Sequence, residues 1–218
     1  MVQRKALLLI TALLSLGLWG SFYKAEAQHV AFKTNLVSWI PGSTPNLSLE
    51  TAISRKWTID LQGSANWFMY QTDASKPDYN RWSADGKKWS HWMVQPEFRY
   101  WFCDVFDQWN IGFHGFGGQM NVGGVNIPYM ILQNKPNADG VYPMQGHRYE
   151  GWFAGGGVSL GYHWLISNHF SIEGSLGAGY AHIWYDRFKC VTCGEKDGSG
   201  EADYVGPTKA ALSLILLF

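Results

Sequence analysis

Long apolar runs are what this chain lacks. Beyond Ala6 to Leu18 no stretch approaches the roughly 20 continuous apolar residues that a transmembrane helix needs, so a helical membrane protein is excluded. Charge of one sign is missing too. The 17 basic and 17 acidic residues cancel, leaving no electrostatic case for nucleic acid or for an anionic surface. Cysteine is scarce, and the first, Cys103, lies far from any processed amino terminus, so lipid attachment at such a cysteine is excluded. There is no internal repeat and no composition break. Gly117-Gly118 and Gly123-Gly124 open no helix, so phosphate cradling is not indicated.

What is present points outward from the cytoplasm. Arg4-Lys5, the apolar run and Ala25-Glu26-Ala27 have the order of a signal peptide, which predicts residues 1–27 as leader and 28–218 as one mature domain. At the other end Ala210, Leu212, Leu214, Leu216 and Phe218 share a two-residue phase. A closing strand with one wholly apolar face suits a lipid-facing wall, and Phe218 is expected to act as its assembly signal.

Two-residue alternation predicts about eight strands, within the range of small outer-membrane barrels. They are Val30 to Ile40, Asn46 to Ser54, Lys56 to Tyr70, Ser90 to Phe102, Gln108 to Met120, Tyr149 to Leu165, His169 to Asp186 and Val205 to Phe218. Aromatics recur in pairs along single strands: Trp57 with Trp67, Trp92 with Tyr100, Trp152 with Tyr162, Phe170 with Tyr180. A separation near ten residues on a tilted strand spans about 25 Å, the height of a membrane barrel's apolar band. Trp57, Trp67, Trp92, Trp101, Trp152 and Trp164 are therefore expected in interfacial girdles. Short links (Arg55, Cys103 to Asp107, Ile166 to Asn168) alternate with long ones (Gln71 to Trp89, Asn121 to Arg148, Arg187 to Tyr204). That rhythm predicts an all-β, eight-stranded antiparallel up-and-down outer-membrane β-barrel with tight periplasmic turns and long outer loops.

The opposite phase places Lys33, Asn35, Glu50, Asp60, Gln62, Glu97, Arg99, His114, His163, Glu173 and Lys209 inside. An eight-stranded interior is only just wide enough for its own side chains. Lys33, Glu50, Asp60, Glu97, Arg99, Glu173 and Lys209 are expected to form a charge network that plugs the barrel rather than a pore. Of the histidines a lipid-modifying enzyme could use, His114, His147, His163 and His182, none stands in a recognisable pairing with a nucleophile. No catalytic residue, cofactor or metal is predicted. Asp197 to Asp203 is acidic but lacks a calcium loop's spacing and reads as a solvated loop. Cys190 and Cys193 are expected to form a local loop disulfide, with Cys103 left in a turn or at girdle level. The apolar segment with Ile127, Tyr129, Met130, Ile131 and Leu132 should either lie over the barrel mouth or dock on a partner.

The strings Lys33-Thr34-Asn35, Pro45-Asn46-Leu47, Gln95-Pro96-Glu97-Phe98-Arg99-Tyr100-Trp101-Phe102, Asn121-Val122-Gly123-Gly124, Arg148-Tyr149-Glu150-Gly151-Trp152, Cys193-Gly194 and Gly206-Pro207-Thr208-Lys209-Ala210 together resemble an uncharacterised domain-of-unknown-function family. It consists of small exported proteins of Bacteroidetes-type bacteria. The resemblance covers essentially the whole mature chain. It implies an outer-membrane β-barrel, often encoded beside fimbria or adhesin components, and carries no established activity. The expectation is a non-enzymatic outer-membrane barrel with a structural or surface-binding role. Its partners would be outer-membrane lipid, the barrel-assembly machinery and fimbrial or other surface proteins. A lipid-modifying enzyme and a narrow channel are the alternatives.

Overall fold

The computed structural model describes residues 29–39, 44–66, 69–70, 87–123, 147–189 and 194–218. The strands are β1 (Val30–Asn35), β2 (Asn46–Ala52), β3 (Trp57–Asn66), β4 (Met69–Tyr70), β5 (Lys87–Trp101), β6 (Gln108–Gly123), β7 (Arg148–Leu165), β8 (Phe170–Phe188) and β9 (Lys196–Leu217), with one short helix, α1 (Leu36–Trp39). Each pairs antiparallel with its neighbours in the order β3-β2-β1-β9-β8-β7-β6-β5-β4, and β3 also pairs with β5, so the ladder returns to its start. β3 and β4 occupy one position in the ring: Trp57 faces Tyr100 and Asn66 faces His91, while Met69 and Tyr70 face Lys88 and Lys87 further along β5. The result is an eight-stranded antiparallel barrel, as the alternation predicts.

Closure leaves each side chain only two directions, inward or outward, which is why period-two sequence becomes strict alternation of burial. Ser48, Glu50, Thr58, Asp60, Gln95, Glu97, Arg99, Ser171, Glu173, Ser175 and Ser213 are buried, while Leu49, Ile59, Leu61, Val94, Phe98, Leu176, Leu212 and Leu214 are exposed. This inversion of ordinary globular burial extends around the whole ring.

One end carries the turns 53–56, 102–107 and 166–169 together with both ends of the ring, where His29 and Val30 donate backbone hydrogen bonds to Phe218 O. In the middle turn Phe106 and Gln108 take positive φ of 61° and 56°, a conformation that costs a non-glycine residue about 1–3 kcal/mol. It turns the Phe106 ring inward, where it packs edge-on against Trp101 at 5.7 Å. Ala31, Trp101, Phe106, Ile215 and Leu217 thus form an apolar floor. A second apolar cluster, Val122 and Tyr149 with Trp89, Met120 and Tyr185, lies toward the opposite end.

Two predicted boundaries need correction. β1 stops at Asn35 rather than Ile40. The Asn35 side chain accepts from Val37 N at 3.0 Å, which starts α1, and from Leu212 N at 3.2 Å, which closes the top of the β1–β9 join. β9 begins at Lys196 rather than Val205, so most of the predicted loop Arg187 to Tyr204 is strand. Residues 196–204 are at least partly exposed on both faces, so hydropathy gives no alternation to read, and Gly198, Ser199 and Gly200 look like loop.

Candidate functional site: an ionic lumen inside an apolar wall

The inward phase brings Lys33 of β1, Glu50 of β2, Asp60 of β3, Glu97 and Arg99 of β5, Glu173 of β8 and Lys209 of β9 into one buried cluster. Arg99 is its hub. Nη1 lies 3.0 Å from both Glu50 Oε2 and Glu173 Oε2, and Nη2 donates to Glu173 Oε1. Its Nε is 3.1 Å from Glu97 Oε2. Lys33 Nζ bonds Glu50, reaches Asp60 Oδ2 at 3.3 Å and lies 3.9 Å from Glu173. Lys209 Nζ bonds Glu97. Hydroxyls complete the acceptors: Ser48 donates to Asp60, Thr58 to Glu50 and Ser159 to Glu97. Every member of the predicted charge network is therefore in it.

Four carboxylates face three permanent cations, and two imidazoles stand beside the excess. His114 Nδ1 is 3.9 Å from Glu97 Oε1, and His163 Nδ1 is 3.8 Å from Glu173 Oε2. Ions taken out of water cost several kcal/mol each, so such a cluster persists only when each charge meets opposite charge and satisfied hydrogen bonds. Space for it is made by Gly112, where a Cβ would fall on the Glu97 carboxylate and the Ser159 hydroxyl. We expect Gly112→Ala to lower stability by about 1–3 kcal/mol through overpacking, read as a shift in the urea midpoint of the detergent-folded protein.

Trp101 is corrected from girdle to plug. It is fully buried, donates from Nε1 to Thr58 Oγ1 at 3.0 Å and lies under the Arg99 guanidinium, 5.7 Å from ring centroid to Cζ. Its phase is that of Glu97 and Arg99, so the alternation that places those two inward places Trp101 with them.

Outside, the wall carries Trp57, Trp92, Trp152 and Trp164 as predicted, together with Trp109 and Trp184, which the pairing argument missed. Toward the turn end lie Trp57, Tyr100, Trp109, Tyr162, Trp164 and Phe218; toward the other lie Trp92, Trp152 and Trp184. Trp92 and Trp152 meet edge-on at 5.8 Å, and Trp92 Nε1 donates to Gln119 Oε1 at 2.9 Å. From the turn-end row up to the level of Val205 and Tyr180, the described outward positions hold no Asp, Glu, Lys, Arg or His. Charge returns just above Val205 and Tyr180. Asp203 there accepts from Tyr180 OH and from His182 Nδ1 at 2.6 Å, hydrogen bonds that hold its carboxyl below the usual range, and Glu201 lies 3.5 Å from His182 Nε2.

The histidines part company accordingly. His114 and His163 are buried in the lumen, His147 Nε2 lies 3.7 Å from Asp197, and only His182 pairs with a carboxylate on the outer wall. Cys103 is an exposed free thiol in the 102–107 turn. Trp67, the pair Cys190 and Cys193, and the segment with Ile127, Tyr129, Met130, Ile131 and Leu132 lie outside the described residues. Among the described residues no group of three or more His, Cys, Asp or Glu side chains is arranged to hold a metal.

Fold and site define a small closed β-barrel with an ion-paired core and an apolar exterior. The chain belongs to the family described as protein of unknown function DUF3575, whose model matches residues 12–218. No curated protein matches it.

Proposed function

We propose that this is an integral outer-membrane β-barrel, exported by the leader at residues 1–27, with a structural or surface-binding role. One observation carries the reading: an uncharged apolar zone encircles the described wall while the ionised groups sit inside. A water-soluble monomer rarely exposes contiguous apolar area beyond a few hundred Å². Hydrocarbon would solvate the wall, and Trp side chains would sit at its two boundaries. The turn end would face the periplasm. The outer loops, with the Ile127 to Leu132 segment among them, would engage fimbrial or other envelope proteins, and a crosslinked pull-down through that segment tests this.

The ionic layer lies between two apolar clusters in a barrel too narrow for both side chains and a water column, which favours a plug over a channel. Phe218 would serve the assembly machinery. Its deletion is expected to remove the heat-modifiable folded form from the outer-membrane fraction on unheated gels, and unchanged assembly would refute that role.

A lipid-modifying enzyme is the second reading, favoured by the His182–Asp203 pair at the edge of the apolar zone. Asp203 could orient the imidazole, but the partners of His182 in the structure are Asp203, Tyr180 and Glu201, none of them a hydroxyl suited to acyl transfer. Identical outer-membrane lipid profiles with wild type and His182→Ala would end it.

A further inference from the structure

β9 outruns its neighbour. β1 pairs with it only from Ser213 to Leu217, and Asn35 caps the join by donating from Nδ2 to Ala210 O at 3.2 Å and accepting from Leu212 N. From Lys196 to Lys209 every strand pairing of β9 is to β8, so among the described residues its other edge is unpaired. A strand edge of this length is a template for a further strand, and proteins that must avoid such pairing cover or shorten it. Here the protection is partial and sits low: Pro207 has no N–H to offer, and its carbonyl is taken by Tyr204 OH at 3.0 Å. Above it, no described strand pairs with the second edge of Gly198 to Val205.

We propose that this edge binds an extended, basic peptide strand of a partner protein, which adds to the wall beside β9. Backbone groups would supply affinity and side chains the choice of partner. The outward row beside the added strand is Ser199, Glu201, Asp203 and Val205, with Glu201 65% and Asp203 64% exposed at their side chains. The inward row, Gly200, Ala202, Tyr204 and Gly206, is uncharged. A complementary strand therefore alternates Lys or Arg with uncharged residues.

The inference deepens the surface-binding reading and rests on it for the partner's location, yet its test uses detergent-folded protein and so fails or succeeds apart from localisation. Hydrogen exchange at those amides of Gly198 to Val205 that point away from β8 would be followed in neutral detergent with a capped peptide of alternating lysine and threonine. Controls are a glutamate–threonine peptide and the lysine peptide N-methylated at alternate residues. We expect exchange about tenfold slower with the lysine peptide alone, and Glu201→Lys should shift the preference toward the glutamate peptide. Equal protection by all three peptides, no protection by any, slow exchange before peptide is added, or protection that grows with protein concentration alone would each overturn the proposal.

Discussion

Replacing Arg99 by alanine is expected to destabilise the folded barrel by about 3–5 kcal/mol, the cost of leaving buried charge uncompensated. Glu50, Glu97 and Glu173 would lose the guanidinium that stands within 3.1 Å of each, and Lys33 and Lys209 could not offset four carboxylates. The measurement is urea-induced unfolding of the purified protein in detergent micelles or vesicles. Two comparisons separate charge from packing. Arg99→Met combined with Glu173→Gln removes a charge of each sign and should recover part of the loss; Arg99→Lys keeps the charge but loses the bidentate fork and should fall between. If Arg99→Ala leaves the midpoint unchanged, the cluster is not what holds the strands together. If it creates discrete single-channel conductance in planar bilayers, the lumen is a gated pore rather than a plug.

The second large effect separates lipid from water as the solvent of the wall. Leu176 is 71% exposed, pairs with Ala210 and lies midway along the apolar zone of β8; Val205 is 75% exposed at its upper edge. In water, arginine at either exposed position should change stability by no more than about 0.5 kcal/mol. In a bilayer Leu176→Arg should cost about 2–4 kcal/mol and Val205→Arg no more than about 1 kcal/mol, because the penalty follows depth. Reversible unfolding in vesicles gives both numbers. Equal, small effects would remove the membrane reading while leaving the barrel intact.

Strand phase was readable wherever the two faces meet different surroundings. β3, β5 and the lower part of β8 alternate because one side meets ions and the other meets an apolar zone, and the predicted interior charges all lie in the lumen. The reading failed where that contrast vanishes. Lys196 to Tyr204 of β9 is at least partly exposed on both faces, so its sequence reads as loop although it is strand. Trp101 differs for another reason: its residue type suggests an interface, whereas its phase, shared with Glu97 and Arg99, puts it in the lumen. The hydroxyls of Ser48, Thr58 and Ser159 share the inward phase of the carboxylates they serve, so they were available to the same argument. Two details lay beyond pattern: the inward turn of Phe106, which depends on a positive φ in a turn, and the pairing of His182 with Asp203, which depends on register between two strands.

The shortest strands of the ring form its hinge side. β1 registers with β2 from Val30 to Lys33 and with β9 from Ala31 to Asn35, far less ladder than joins β7, β8 and β9 to one another. Yet Lys33 on this strand is bonded to Glu50 and Asp60. Electrostatics thus latches the stave that backbone hydrogen bonding secures least. Neutralising Lys33 would remove that latch and weaken the cylinder first along its first strand.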